Sequence, residues 1–490
     1  VAARTPEARN AAAPQARQAQ PSSSPAELSA DAARQDVRIL VRALQTLHPA
    51  LTKYRTQAEI DAAFARFEAR GQAARTATEM YLAASELAAA IRCGHTWTNV
   101  LNQKGPIKSA LLESADKLPF TLTLVENRWL ILASADADVK AGDELVSVEG
   151  IDAPAMVSRL MPYLRADGSS DGKRLQQLNH DRLDFSQMDI LWPLLVPPVE
   201  GRYRIDVRRP DGRLDHLTVK TTTMAARDAA IAAQGVPPMR KDWSLRIDGE
   251  MAVLSMPGFV FRNDAFDWAA YIEKTIADLN TRKIRNLVVD IRANEGGDGA
   301  IGGKLLAHIV SQPLRFVSSQ SVSTYERVPY ALARYLDTWD YGFFDRTGQV
   351  EKITEGTAAG KYRYLPSDER EQVIEPAAPH FEGRVFMLIG PENSSAAFQL
   401  ALLARQSREV TLVGQRTGGN FRGLNGGELA WVNLPNSGVA VDIPLLAARY
   451  TQDTPDGSVE PDVPVKHSYA ARAAGRDLDM EAVRNIIGTR

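Results

Sequence analysis

The sequence predicts an α/β fold, and two stretches carry that expectation. The run Val385-Phe386-Met387-Leu388-Ile389 is continuously apolar and stops at Gly390-Pro391. It is followed by Ala396, Ala397, Leu400, Leu402, Leu403 and Ala404 at the spacing of a packed helix. Earlier in the chain, Asn286-Leu287-Val288-Val289-Asp290-Ile291 is a second apolar run, closed by Gly296-Gly297 and followed by a helical pattern from Ile301 to Val310. Continuous apolar runs mark strands buried on both faces, as in a sheet covered by helices.

Size and charge agree with a multidomain enzyme. A chain of 490 residues with 44% hydrophobic content can bury more than one core, and a net charge of -2 supplies no general attraction to nucleic acid or anionic membrane. No apolar run approaches the roughly 18 residues of a membrane span. The single cysteine, Cys93, excludes an intramolecular disulfide framework and a Cys-rich zinc site.

Residues 1–28 are Ala, Pro, Gln, Arg and Ser with scarcely a large apolar side chain, a composition that cannot offset the entropy of ordering and reads as a flexible tether. The Ala/Pro-rich leader, with Val1 rather than Met at its start, fits an exported bacterial protein, periplasmic or extracellular, whose signal has been removed. Residues 29–105 read as a helical domain. Ala33, Val37, Leu40, Val41 and Leu44 recur at helical spacing, and Thr56 with Glu59 forms a capping box ahead of Ile60, Phe64 and Phe67, with Gly71 as the stop. Thr76 and Glu79 repeat the cap ahead of Met80, Leu87 and Ile91. The domain ends in Arg92-Cys93-Gly94-His95-Thr96, where helical spacing yields to alternation, so His95 sits just past a helix C-terminus. That position favours imidazolium and suits a base that must accept a proton. Cys93 reads as a small buried hydrophobe, and His48 and His308 as packing or surface residues.

Residues 106–225 resemble a PDZ-type module. Leu118 and Phe120, in Leu118-Pro119-Phe120-Thr121-Leu122, stand where a carboxylate-binding loop would be, and Val139 to Gly150 resembles that module's hairpin. Such a fold captures a peptide C-terminus by strand addition, with bracing of a cleft as the alternative. Residues 240–470 form the core, interrupted at 313–380 by a segment holding Tyr325, Tyr330, Tyr335, Trp339, Tyr341, Phe343, Phe344, Tyr362 and Tyr364. Its aromatics argue against disorder, and it reads either as a lid over a peptide or as a satellite hydrophobic cluster. A helix is expected over 471–490.

Ser394 and Ser395 fall at a strand-to-helix turn, where a hydroxyl stands beside unpaired backbone N–H groups and the positive end of a helix dipole. On this segment alone an N-cap is the plainer reading. Glycines such as Gly296 and Gly297 let the backbone approach a ligand and aim its N–H groups into a cleft, although a glycine pair also simply reverses a chain.

Together these stretches resemble the tail-specific, or C-terminal processing, serine peptidases, the family that includes the tricorn core protease and interphotoreceptor retinoid-binding protein. The signature D-x-R-x-N-x-G-G is matched by Asp290, Arg292, Asn294, Gly296 and Gly297, the S-A-A nucleophile turn by Ser395-Ala396-Ala397, and the V-G-x-x-T-G-G turn by Val413 to Gly419. The resemblance implies a ClpP/crotonase-like ββα core joined to the helical and PDZ-like domains. It implies Ser395 as nucleophile and His95 as base, because the tricorn-like branch carries its base in a G-H-T turn matched by Gly94-His95-Thr96. Gly296, Gly297 and Ala396 would donate N–H groups to the oxyanion, while Gly418, Gly419 and Asn420 would line the substrate site together with Leu118 and Phe120. The other branch places a lysine base where this chain has Asn420, which cannot take up a proton, so a Ser-Lys pair at that position is excluded.

Asn393 and Phe398 depart from the family, which often has threonine and glutamate there; Asn393 can still cap a helix. Glu460 or Asp462 would orient His95. The implied reaction needs no metal or organic cofactor, and the implied partner is a peptide or protein substrate, with no nucleic acid and no integral membrane segment; homo-oligomerisation stays open. Two other classes share the scaffold: an inactive homologue holding a peptide or apolar ligand in the same cleft, and a peptide-binding protein whose serine is idle.

Overall fold

The computed structural model describes residues 27–488 except 184, 238–240, 262–265, 318, 366–371 and 451–453. Residues 1–26 of the expected tether thus lie outside the described residues. The chain opens with helices α1 (Ala30–Leu47), α2 (Gln57–Ala73), α3 (Ala77–Ile91) and α4 (Gly105–Leu112). Ser29 caps α1 by accepting from the Ala32 N–H, and Thr56 and Glu59 form the full reciprocal box at α2. Gly71 does not stop α2, which runs two residues further. A Cβ there would lie 2.6 Å from Val37 Cγ2, so the glycine lets α1 and α2 approach closely. After α3, Arg92 turns into the left-handed region at φ 58° and ends the helix.

An antiparallel sheet follows, built from β1 (Phe120–Val125), β2 (Arg128–Ser134), β3 (Glu144–Val148), β4 (Ile151–Asp152), β5 (Arg202–Arg208) and β6 (Leu214–Lys220) in the order β1-β2-β3-β5-β6, with β4 on β3. Helices α5 (Ala153–Leu160), α6 (Asp171–Gln176), α7 (Gln187–Leu195) and α8 (Met224–Ala232) accompany it. In the Leu118–Phe120 loop, expected to hold a carboxylate, the Leu118 and Phe120 side chains are buried in the cluster shared with the N-terminal helices. The outer edge of β1 is also occupied, since the Leu122 N–H donates to His180 Nδ1 and the Leu124 N–H to Asn179 Oδ1.

The second sheet positions the site. Its strands are β7 (Ser244–Asp248), β8 (Met251–Ser255) and β9 (Asn286–Asp290), then, beyond an insertion, β16 (Arg384–Ile389), β17 (Val410–Gly414) and β21 (Val463–Pro464). The spatial order is β21-β17-β16-β9-β8-β7, parallel throughout except at β7. Helices α9 (Trp268–Thr281), α10 (Gly299–Ala307) and α12 (Ser395–Ala404) cover one face. After the short α13 (Tyr469–Ala473), α14 (Leu478–Gly488) covers the other face through Met480 and Val483. Alternation decides who faces whom: Leu287, Val289, Val385 and Met387 point to the first layer, Val288, Phe386 and Leu388 to the second. Burial of each such side chain is worth about 1.5–3 kcal/mol, which is why the positions 287–289 and 385–389 are all apolar.

Within the insertion lie β10 (Leu314–Arg315), β11 (Ser319–Ser323), the one-turn helix α11 (Tyr330–Ala333), β12 (Leu336–Asp337), β13 (Val350–Lys352), β14 (Tyr362–Tyr364) and β15 (Val373–Ile374). They pair partly among themselves and partly with β18 (Leu429–Asn433), which pairs β19 (Ala440–Pro444), and with β20 (Ala447–Tyr450). Tyr325, Val328, Leu332 and Leu336 join the large N-terminal cluster, whereas Tyr330, Trp339 and Tyr341 stay exposed. Among the described residues no helix is long and apolar enough to cross a membrane.

Candidate active site

Leu388 of β16 pairs with Asp290 of β9, so the two turns legible in the sequence leave adjacent parallel strands side by side at their carboxyl ends, where open α/β sheets form their crevices. Asn393 ties them together. Its Oδ1 accepts from the Gly390 N–H at 2.8 Å, its Nδ2 donates to Ile291 O at 2.5 Å and Asn294 O at 3.0 Å, and its carbonyl accepts from Gly418 and Gly419. Asn393 is therefore the hub of both turns, not a helix cap. Gly418 and Gly419 turn their N–H groups into that hub and present none to a substrate. A Cβ on Gly419 would lie 2.2 Å from the Phe398 ring, so Phe398 fills the space over the glycine. Asn420, expected at the substrate edge, is buried and donates to Asp456 Oδ1 at 2.7 Å.

Ser395 is the first residue of α12 and holds φ 50°, a left-handed conformation that costs a non-glycine residue about 1–3 kcal/mol and clusters at functional sites. Between Glu392 and Phe398 it is the only side chain that is not buried. Gly296 lies directly against it: a Cβ there would sit 2.9 Å from Ser395 Cβ and 3.0 Å from the Ala396 nitrogen. The Gly296 N–H donates to Asn294 Oδ1 at 2.8 Å, so it is not a free oxyanion donor. Among the described residues the N–H groups of Gly297 and Ala396 donate to nothing.

Ser394 occupies the N-cap position, yet its side chain makes no cap bond. Its hydroxyl accepts from Lys173 Nζ at 2.7 Å and donates to Glu295 O at 3.1 Å. Lys173, brought in by α6 and 1% exposed, spends its other two donors on Glu295 Oε1 at 2.7 Å and Glu392 O at 3.2 Å. Glu295 Oε1 also accepts from Arg165 Nη2 at 3.0 Å, and Arg165 donates through its other nitrogen to Gly94 O while lying 3.9 Å over the Trp97 ring. Burial opposes the charge on Glu295, but Lys173, Arg165 and Arg182 outweigh it and hold the carboxyl well below the usual range.

This chain of contacts brings the His95 turn toward the serine turn. The Gly94 N–H donates to Asp167 Oδ1 at 2.8 Å, Trp97 exchanges main-chain hydrogen bonds with Asp442 on β19, and a Cβ on Gly426 would meet His95 Nε2 at 3.3 Å. Burial lowers the His95 pKa; Arg165 and Lys173 add to the effect, while Asp167 and Glu295 oppose it. Its Nδ1 is buried with no hydrogen-bond partner among the described residues. Neither expected carboxylate supplies one. Glu460 is two-thirds exposed and pairs with Arg416 at 3.4 Å, and Asp462 accepts from the Leu412 N–H at 2.8 Å, because their turn runs along the edge of the sheet beside β17. Sequence reasoning missed Lys173, Arg165 and Asp167; they sit in a polar loop and the short helix α6 after it, with no motif, and only the fold carries them here.

The family model described as Peptidase family S41 matches residues 250–465, which hold the second sheet apart from β7, both turns and Ser395. Over those residues the chain is similar to the S41 peptidases. Among curated proteins no match to the chain is found. Among solved structures, the chain is similar to mature CPAF complexed with lactacystin, with a TM-score of 0.62 at 15% identity over 93% of this chain and 97% of that one. It is also similar to mature CPAF alone, with a TM-score of 0.56 at 15% identity over 91% and 94% of the two chains. At these identities the likeness is one of fold.

Proposed function

We propose that this chain is a serine endopeptidase or carboxy-terminal processing peptidase working through Ser395 and His95. One observation carries the reading: the only accessible side chain of the elbow is a serine held at positive φ against Gly296, on a turn that Lys173 and Arg165 link to the His95 loop. Ser395 Oγ attacks a peptide carbonyl as His95 takes its proton. The Gly297 and Ala396 N–H groups face the developing oxyanion, and His95 passes the proton to the leaving amine; water then hydrolyses the acyl-enzyme by the reverse exchange. A neutral imidazole is the form that can accept the proton, and the lowered pKa of His95 keeps it so near neutral pH.

Turnover of a quenched fluorescent peptide pool should fall at least about 10⁴-fold in Ser395→Ala and in His95→Ala, with melting temperatures unchanged within a few degrees. An inactive homologue that merely binds peptide predicts no turnover in the parent protein and equal binding in the variants. Turnover surviving Ser395→Ala would remove the mechanism.

A further inference from the structure

A cavity of about 410 Å³ lies between the N-terminal domain, the insertion and β20, and its charged lining is Lys53, Lys361, Arg422 and Arg449, with no carboxylate among the described lining residues. Three of the four are half-buried and only Arg449 is exposed. Buried cations ordinarily find counter-ions. Among the described residues these four form no direct ion pair, although Asp167 acts on Lys53 and Arg422 on Asp456 from a distance, and they donate to neutral oxygens instead. Lys53 Nζ reaches Gly423 O at 3.0 Å and Ala448 O at 3.1 Å, Lys361 Nζ reaches Pro49 O at 2.7 Å, Arg422 Nη1 reaches Lys53 O at 2.9 Å, and Arg449 Nη2 reaches Thr357 Oγ1 at 2.8 Å. Each ammonium has three donors and each guanidinium five, so donors remain to be used.

The positive field is felt by its neighbours. Burial brings Lys53 down to about 8, with Asp167 and Cys93 opposing the fall and Lys361 adding to it. Burial and then Arg449 lower Lys361, and burial, Lys53 and Lys361 hold His48 at about 3. The nearest carboxylates are engaged elsewhere: Asp167 accepts from Gly94, and Asp456 from Ser169 and Asn420. A carboxylate entering the cavity would relieve this repulsion.

The cavity adjoins the proposed catalytic base. Gly423, whose carbonyl binds Lys53, is three residues from Gly426, which backs His95. Three extended residues span at most about 11 Å. Leu424 and Gly426 are hydrogen-bonded to Ala448 and Leu446, which anchors this segment beside β20.

We propose that this cavity is an anion-recognition subsite which takes a carboxylate of the substrate, held by Lys361, Arg449 and Lys53, a few residues from the bond to be cut. It rests on the peptidase reading for its purpose, but not for its test. Ser395→Ala protein, which cannot turn substrate over, is titrated by fluorescence anisotropy with labelled peptides that differ only in Glu against Gln at one internal position, and with a second pair that differs in a free against an amidated C-terminus. The acid form of at least one pair should bind about tenfold tighter at low salt, and the pair that discriminates tells side chain from chain terminus. Lys361→Gln with Arg449→Gln should abolish that preference while leaving the amide forms unchanged, and Lys361→Glu with Arg449→Glu should reverse it toward Lys-containing peptides. Equal binding of acid and amide in both pairs, or a preference that survives the double Gln variant, overturns the subsite. Loss of turnover alone would bear on the peptidase reading instead.

Discussion

The serine arm and the histidine arm of the site are built by different means. The serine turn is held by main chain and by close packing: paired strands β9 and β16, the Asn393 hub, and glycines at 296, 418 and 419 where a Cβ would strike Ser395, Pro391 O or the Phe398 ring. The histidine loop is held largely by charge, through Arg165, Asp167 and the carboxylate of Asp442, which accepts from Asn99 at 2.8 Å and Asn102 at 2.7 Å. Backbone geometry is indifferent to pH, whereas buried charges are not. Sensitivity to pH should therefore enter through the histidine side.

Lys173 joins the two arms, and removing it gives the largest expected effect. Lys173→Met leaves Glu295 with one cation fewer in a buried setting and should cost about 3–5 kcal/mol in urea unfolding. Adding Glu295→Gln should recover part of that loss, a non-additivity expected of partners in contact. Gly296→Ala comes next. Its Cβ would press on Ser395 and the Ala396 nitrogen at φ 119°, so turnover should drop roughly 10²- to 10³-fold. No side-chain substitution can relieve it, because part of the clash is with main chain. Gly419→Ala strikes the Phe398 side chain from its Cβ outward, at 2.5 Å for Cβ and 2.2 Å for the ring, so Phe398→Gly in the same chain should restore more turnover than Phe398→Ala.

The histidine side is tested by acid. Burial raises Asp442 to about 6 from 3.8, with Asn99, Asn102 and Arg165 opposing the rise. The folded state therefore binds the extra proton between those values, and unfolding free energy should fall as pH rises from about 4 to about 6. The fall is at most about 3 kcal/mol, and Asp442→Asn should flatten it. The smallest effect is kinetic. With the His95 pKa lowered by burial, the acid limb of kcat/KM should have its midpoint below 6.5, and Arg165→Gln should move that midpoint upward, since Arg165 is one of the cations that depress it.

The same contrast explains what the sequence could reveal. The strands, the helix after Ser395, the caps at Thr56 and Thr76 and the glycine turn at 296–297 are local patterns with periods or chemistry of their own, so they are visible in one dimension. Gly71, Gly418 and Gly419 were visible as glycines, but whether a glycine ends a helix, offers an amide or admits a neighbour depends on what packs against it. Leu118 and Phe120 likewise look the same in a binding loop and in a core. Lys173 and Arg165 lie more than two hundred residues from Ser395 in a segment without periodicity, and only the pairing of separate layers gives them partners. Glu460 shows the converse: a motif placed it near the end of the core, and the sheet edge turned its side chain to Arg416.

Two adjacent serines share the elbow, one buried on Lys173 and one accessible at positive φ. Labelling with a fluorophosphonate, followed by peptide mapping, asks directly which of them reacts. The account predicts a single adduct on Ser395 whose formation slows at least about 10²-fold in His95→Ala. An adduct on Ser394, or a rate at Ser395 that ignores His95, would contradict it.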